Sequence, residues 1–78
     1  MKSTFMDTSI KYYRKGLKIN QSVLAEKIGV TFTDMSFIEN KKIYPDKKTA
    51  ELLAEILQVP IGKIYSDEEL TLINYRNN

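Results

Sequence analysis

Residues 21–39 read QSVLAEKIGVTFTDMSFIE, and the apolar residues in this stretch are spaced as in two short amphipathic helices. The residues that form the two apolar faces are Leu24, Ala25 and Ile28 in the first helix, and Met35 and Ile38 in the second. Gly29 lies between the two faces and predicts a turn there. Helices of about two turns are not stable alone in water. We therefore expect the two helices to pack against each other and against a larger core.

Two short helices held at a tight crossing usually serve to present the outer face of the second helix. This arrangement is the helix-turn-helix motif, and its usual target is the major groove of double-stranded DNA. The stretch therefore favours a nucleic-acid-binding domain in which the second helix of the motif contacts the bases.

The composition narrows the possible functions. The 78 residues make one domain, near the small end of what folds without cross-links. The chain has no Cys and no His, so it lacks disulfides, thiolate zinc sites, the commonest metal ligand and the commonest general base. Its carboxylates are scattered apart from residues 67–69, and it has no glycine-rich phosphate loop. We therefore expect no enzymatic activity, no cofactor, no metal and no small-molecule substrate.

No segment suits a signal peptide or a membrane-spanning helix, which favours a cytoplasmic protein with no membrane partner. The net charge of +2 is small, but its distribution is uneven. Residues 1–50 carry ten Lys and Arg against five Asp and Glu, whereas residues 51–78 carry two against five. The basic excess thus coincides with the predicted motif, as a phosphate-facing surface requires. A solvated, lysine-rich surface is the alternative.

Capping residues and apolar stripes predict further helices on both sides of the motif. The residues expected to cap or open successive helices are Thr8 or Ser9 for the first helix, and Asn20, Thr31, Asp46, Pro60 and Ser66 for the others. Asp7 is an alternative start for the first helix, and Gly16 is expected to end it. No run of alternating polar and apolar residues predicts a strand, so the domain should be all-α.

The residues in and around the motif match the pattern of a known family. The matching residues are Arg14, Gln21, Leu24, Ala25, Gly29, Thr31, Met35, Ile38, Glu39, Pro45, Val59, Ile61, Ile64 and Tyr65. In these positions the chain resembles the Cro/repressor-type, or XRE-like, helix-turn-helix family. The resemblance implies a compact five-helix, lambda-repressor-like domain. It also implies one domain over residues 1–78, with a motif core at about 10–65 and a short helical C-terminal extension at 66–78.

The resemblance also implies which residues bind DNA. The implied contact residues are Gln21, Thr31, Phe32, Thr33, Ser36, Phe37, Asn40, Lys41, Lys42 and Tyr44. Gln21 would contact a phosphate at the start of its helix, where free N–H groups favour an anion. The residues from the end of the recognition helix to Tyr44 would follow the sugar-phosphate backbone.

Four positions depart from the family pattern. Phe32 and Phe37 stand where the family favours residues such as Gln, Arg, Ser and Asn, and phenylalanine has no donor or acceptor. Either ring could contact a thymine methyl, contact a protein partner, or fold back onto the core. Lys41 stands where the family often has glycine, which leaves open a turn of a different shape. The carboxylate of Asp34 would be repelled by phosphate unless it accepts from a cytosine amino group.

A structural ion pair is also implied. In the family the arginine of the first helix reaches the glutamate that closes the recognition helix, and here these are Arg14 and Glu39. Such a pair contributes orientation more than net stability, because desolvation offsets much of the attraction.

The function favoured by the sequence is a sequence-specific, DNA-binding transcriptional regulator, a repressor that acts as a homodimer on a two-fold operator. The residues expected at the dimer contact are Ile61, Tyr65, Ile73 and Tyr75, unless they close the core of the monomer instead. The alternative function is a protein-interaction module on the same fold, such as an antitoxin or an adaptor.

Overall fold

The computed structural model of the protein describes residues 8–76, with side chains through Asn74. The alternative helix start at Asp7 therefore lies outside the described residues. The elements in chain order are α1 (Ser9–Gly16), α2 (Gln21–Ile28), α3 (Phe32–Glu39), α4 (Lys47–Leu57), a 3₁₀ turn (Ile61–Lys63) and α5 (Asp67–Arg76). Residues 8–76 contain no strand, which confirms the all-α prediction. The helix predicted to open at Pro60 is a single 3₁₀ turn, and the C-terminal extension supplies the fifth α-helix.

The helix starts follow from side chains that accept a hydrogen bond from a free backbone N–H. These capping residues are Thr8, Asn20, Thr31, Asp46 and Ser66, each of which accepts from the N–H three residues ahead. A cap of this kind contributes about 1 kcal/mol of helix stability. The caps expected at these five residues are confirmed, and they set the start of every α-helix.

Left-handed residues end several of the helices. Gly29 closes α2 with a φ of 78°. Lys18, Lys41 and Gln58 adopt the same region, with φ of 60°, 61° and 63°. α1 ends at Gly16, as expected, and the left-handed residue that follows it is Lys18. Lys41 thus adopts the left-handed conformation that glycine favours, so the lysine does not give the turn after α3 a different shape.

The core is built from every element apart from the 3₁₀ turn. Its fully buried apolar residues are Ile10, Leu24, Ala25, Ile28, Met35, Ile38, Ala50, Leu53, Ala54, Leu57, Ile64, Tyr65 and Ile73. Burial of one large aliphatic side chain stabilises a fold by about 1.5–3 kcal/mol. Since the buried set includes residues of α2 and α3 and also of α5, the motif and the C-terminal extension share one core.

Candidate nucleic-acid interface

The outer face of α3 is a polar strip between two phenyl rings. Successive residues of an α-helix are rotated by about 100°, which places Ser36 and Thr33 between Phe32 and Phe37 around the helix. Phe32 is 57% exposed and Phe37 is 45% exposed. Neither ring therefore folds back onto the core, which excludes one of the three possibilities that the sequence left open for them. The opposite face of the helix is buried and includes Met35.

A buried polar cluster joins α3 to the helices behind it. The Nε and Nη2 atoms of Arg14 donate to the carboxylate of Glu39, with Nη2 at 3.4 Å from Oε1. The Nη1 atom of Arg14 donates to the carbonyl oxygen of Ile19 at 2.9 Å. Gln21 also donates from Nε2 to Oε1 of Glu39 at 2.9 Å. Because the carboxylate of Glu39 is fully buried and contacts both α1 and α2, it fixes the orientation of α3.

The loop after α3 is held by the C-terminal helix. The Nζ atom of Lys41 donates to both carboxylate oxygens of Glu69 at 3.0 Å and to the carbonyl oxygen of Ile64 at 2.9 Å. The hydroxyl of Tyr44 donates to Oε2 of Glu69 at 2.9 Å. Lys41 also lies 4.8 Å from the centre of the Tyr65 ring. We call Glu69, Lys41, Tyr44 and Tyr65 the Glu69 cluster.

Glu69 has a second role at the start of α5. Its Oε1 accepts from the backbone N–H of Ser66 at 2.8 Å, and the Ser66 hydroxyl accepts from the backbone N–H of Glu69 at 3.1 Å. The two residues thus form a reciprocal capping box. The sequence signal for it is a Ser followed three residues later by a Glu.

The Glu69 cluster perturbs the pKa of each of its acidic groups. Burial raises the pKa of Glu69, but hydrogen bonds from Ser66, Lys41 and Tyr44 lower it by more, so the net pKa lies below its ordinary value. The hydrogen bond to Glu69 raises the pKa of Tyr44. Burial, followed by the charge of Glu69, raises the pKa of Tyr65, whose hydroxyl has no hydrogen-bond partner among residues 8–74. The cluster therefore favours an ionised Glu69 beside two neutral phenols.

A family model described as helix-turn-helix matches residues 10–64, which is more than half of the chain. The chain belongs to the helix-turn-helix family. This match confirms the resemblance to Cro/repressor-type domains, a DNA-binding regulatory family rather than an enzyme family. No curated protein shows a significant match to the chain.

Two expected contact residues of this helix-turn-helix domain need correction. Lys41 and Tyr44 were expected to donate to phosphate, but both side chains donate to Glu69 instead. Their position follows from α5, which packs its first turn against the loop after α3. A phosphate contact from either residue would require the hydrogen bonds to Glu69 to break. The structure therefore assigns these two donors to holding the loop.

The other expected contact residues lie at or near the surface of the motif. Thr33 and Lys42 are exposed, and Ser36 is half-buried. The Thr31 hydroxyl accepts from the backbone N–H of Asp34 at 3.0 Å, and Nδ2 of Asn40 donates to the carbonyl oxygen of Ser36 at 2.9 Å. These two side chains therefore hold the ends of α3.

Gln21 occupies the first position of α2, as a phosphate contact at a helix start would require. Its Nε2 atom donates to Glu39, however, and this contact turns the amide towards the buried cluster. A primary amide nitrogen carries two hydrogens, and the bond to Glu39 uses one of them. A contact with DNA through the second hydrogen stays a prediction.

Two of the four residues expected at the dimer contact close the core of the monomer instead, which is the alternative that the sequence left open. Tyr65 and Ile73 are each 1% exposed and belong to the monomer core, so they cannot meet a partner. Ile61 is half-buried, and the side chain of Tyr75 lies outside the described residues. Among the side chains of α5 through Asn74, the apolar side chain of Leu72 is 54% exposed.

Two negative findings apply to the part of the chain that the structure describes. No helix within residues 8–76 is long and apolar enough to cross a membrane. The same residues contain no cluster of His, Cys, Asp and Glu that could hold a metal ion.

Proposed function

We propose that the protein binds double-stranded DNA through α3 and regulates transcription as a homodimeric repressor on a two-fold operator. The observation that supports this most is the contrast between the two faces of α3. Its inner face is fixed by the fully buried Glu39, whereas its outer face, with Thr33 at the centre, is exposed. A rigidly held helix with a free outer face is what major-groove binding requires.

The charge of the surrounding surface supports contact with phosphate. Lys42 in the loop after α3 and Lys47 and Lys48 at the start of α4 are all exposed. Lysines at a helix N-terminus are disfavoured by the helix dipole, so their presence at the start of α4 is easier to explain if an anion binds nearby. Ammonium groups in such positions would fix the register of the domain on the duplex.

The small size of the domain supports the homodimer and, through it, the repressor role. One domain of this size contacts few base pairs, and two domains on a symmetric site double the number of contacts. A dimer bound at a promoter would exclude other proteins from it, which is the simplest way for a small DNA-binding domain to reduce transcription.

The second candidate function is a protein-interaction module on the same fold. The observation that favours it is the exposure of Phe32 and Phe37, because exposed aromatic residues are enriched at protein interfaces. The basic loop and the start of α4 argue against it, since a protein partner would not need them.

The test of the proposed function is the salt dependence of binding to duplex DNA. A binding sequence is first selected from random duplexes and read for a two-fold repeat, and its affinity is then measured by fluorescence anisotropy at several salt concentrations. Because each neutralised phosphate releases counterions, log K should fall linearly with log salt, by about 0.9 for each phosphate contact. We expect Lys42→Ala, which removes one lysine from each protomer of the proposed homodimer, to reduce this slope by about 1.8, or two phosphate contacts.

Lys63→Ala is the matched control, because Lys63 is also exposed but lies on the 3₁₀ turn in the acidic part of the chain. This variant should keep the slope of the unmodified protein. An affinity that does not change with salt, or no selected duplex at all, would contradict the proposed function and favour the interaction module.

A further inference from the structure

The outer face of α3 offers little hydrogen-bonding capacity for its size. Its two largest exposed side chains, Phe32 and Phe37, have no donor or acceptor. Thr31 and Asn40 already use one hydrogen-bonding group each within α3. The exposed hydroxyl of Thr33 and the half-buried hydroxyl of Ser36 are small. If this face enters a major groove, most of its contact area with the base edges is therefore apolar.

We propose that Phe32 and Phe37 recognise the C5 methyl groups of thymine, so that the domain selects its site largely by apolar contact. This inference rests on the proposed function, since it names what the same interface reads. Thymine is the base whose major-groove edge carries a methyl group, and phenylalanine is a suitable partner for it. A phenyl ring over the amino group of cytosine or the acceptors of guanine would remove water from a polar group without replacing its hydrogen bond.

The positions of the two rings predict the spacing of the thymines. Phe32 lies in the first turn of α3 and Phe37 lies five residues later, so the rings are separated by about 7.5 Å along the helix axis. That distance corresponds to about two base-pair steps. The rings are also about 140° apart around the helix, on opposite sides of the strip formed by Thr33 and Ser36. We therefore expect two thymine positions, separated by one base pair that the hydroxyl groups contact.

The same arrangement is less suited to a protein partner. Surfaces that bind proteins present contiguous apolar patches. Here Thr33 and Ser36 separate the two rings, and the neighbouring loop adds the exposed charge of Lys42. Isolated rings beside hydroxyl and ammonium groups fit the edges and phosphates of a duplex better than they fit an apolar protein surface.

The test compares the selected duplex with the same duplex in which deoxyuridine replaces thymidine, which removes the C5 methyl groups and keeps base pairing. We expect each lost contact to weaken binding about fourfold, which corresponds to about 0.8 kcal/mol for one buried carbon. The two contacts of one protomer should therefore lower the affinity about 15-fold, and the four contacts of the proposed homodimer about 200-fold. Equal affinities for the two duplexes would overturn the inference and leave the proposed function in place.

Variants of the rings show whether they are the groups that sense the methyl. Phe32→Ala and Phe37→Ala should each reduce the preference for thymine, because each removes one apolar contact. Leu72→Ala is the matched control, since Leu72 is as exposed as Phe32 but lies on α5, and it should keep the full preference. Circular dichroism shows that each variant is folded.

The remaining outcomes separate the two hypotheses. If the phenylalanine variants keep the affinity and the thymine preference of the unmodified protein, the rings lie outside the groove, the inference fails and a protein contact is favoured. If no duplex binds at any salt concentration, the proposed function fails and the inference fails with it.

Discussion

Replacing Lys41 with glycine would change two opposing contributions to the stability of this domain. Lys41 ends α3 with a φ of 61°, a conformation that costs a residue with a Cβ atom about 1 kcal/mol. The same side chain donates to the carbonyl oxygen of Ile64 and to both carboxylate oxygens of Glu69. The substitution removes the strain and the contacts together, so the sign of the net effect reports which is larger.

The contacts should be the larger contribution. Hydrogen bonds to a charged group contribute about 1.5–3 kcal/mol when buried. The side chains of Lys41 and Glu69 are 23% and 20% exposed, so screening by solvent places this pair near the lower end of that range. Glycine relieves about 1 kcal/mol of strain but loses about 0.5 kcal/mol through the greater freedom of the unfolded chain. We therefore expect Lys41→Gly to lower the free energy of unfolding by about 1 kcal/mol.

Gln58→Gly is the control for this experiment. Gln58 ends α4 with a φ of 63° and is exposed, and among the described side chains of residues 8–74 it has no ion pair comparable to that of Lys41. Its replacement should raise the free energy of unfolding by up to about 0.5 kcal/mol. Both variants are measured by urea unfolding followed by circular dichroism. An equal change in the two variants would show that the hydrogen bonds of Lys41 contribute nothing, and the reasoning would be refuted.

Three further predictions concern the core and its charged groups. Ile73→Ala should lower the free energy of unfolding by about 2–5 kcal/mol, because it opens a cavity in the core. Leu72→Ala, at an exposed position, should change it little. Equal effects of the two substitutions in urea unfolding would contradict the burial of Ile73. Arg14→Met and Glu39→Gln should each lower the free energy of unfolding by about 3 kcal/mol, because each leaves a buried charge without its partner. The double variant should lower it by less than the sum of the two. An additive double-mutant cycle would contradict the buried pair. The folded pKa of Glu69 is lowered, so the stability that it contributes is complete above its unfolded pKa and is lost as the pH falls below about 5. Glu69→Gln should make the free energy of unfolding depend less on pH in this range. An unchanged dependence on pH would argue against the Glu69 cluster.

Much of the fold was predictable because its signals are local. A capping side chain such as Asn20 acts on a backbone N–H three residues ahead, so both partners lie within one short segment. The apolar faces of α2 and α3 follow from the spacing of residues along one helix. The turn at Gly29 was predictable for the same reason, because glycine favours the left-handed conformation that the turn requires.

The Glu69 cluster was not predictable, because its contacts join residues that are far apart in the sequence. Lys41 and Tyr44 looked like phosphate donors, and their residue types suit a carboxylate equally well. The pairing depends on where α5 packs, which a run of three carboxylates does not reveal. Ile73 posed the same problem, because an apolar stripe suits a dimer surface as well as a monomer core, and only the packing of α5 decides between them.

The most direct test of the proposed interface compares one substitution on two surfaces of the domain. Thr33→Glu places a carboxylate at the centre of the outer face of α3, and Thr71→Glu places the same group on the exposed surface of α5. Affinity for the selected duplex is measured by fluorescence anisotropy at moderate salt. We expect Thr33→Glu to weaken binding at least tenfold, because its carboxylate is repelled by the phosphates and the substitution removes a base contact. Thr71→Glu should change the affinity little. Equal affinities of the two folded variants would show that DNA does not bind at α3.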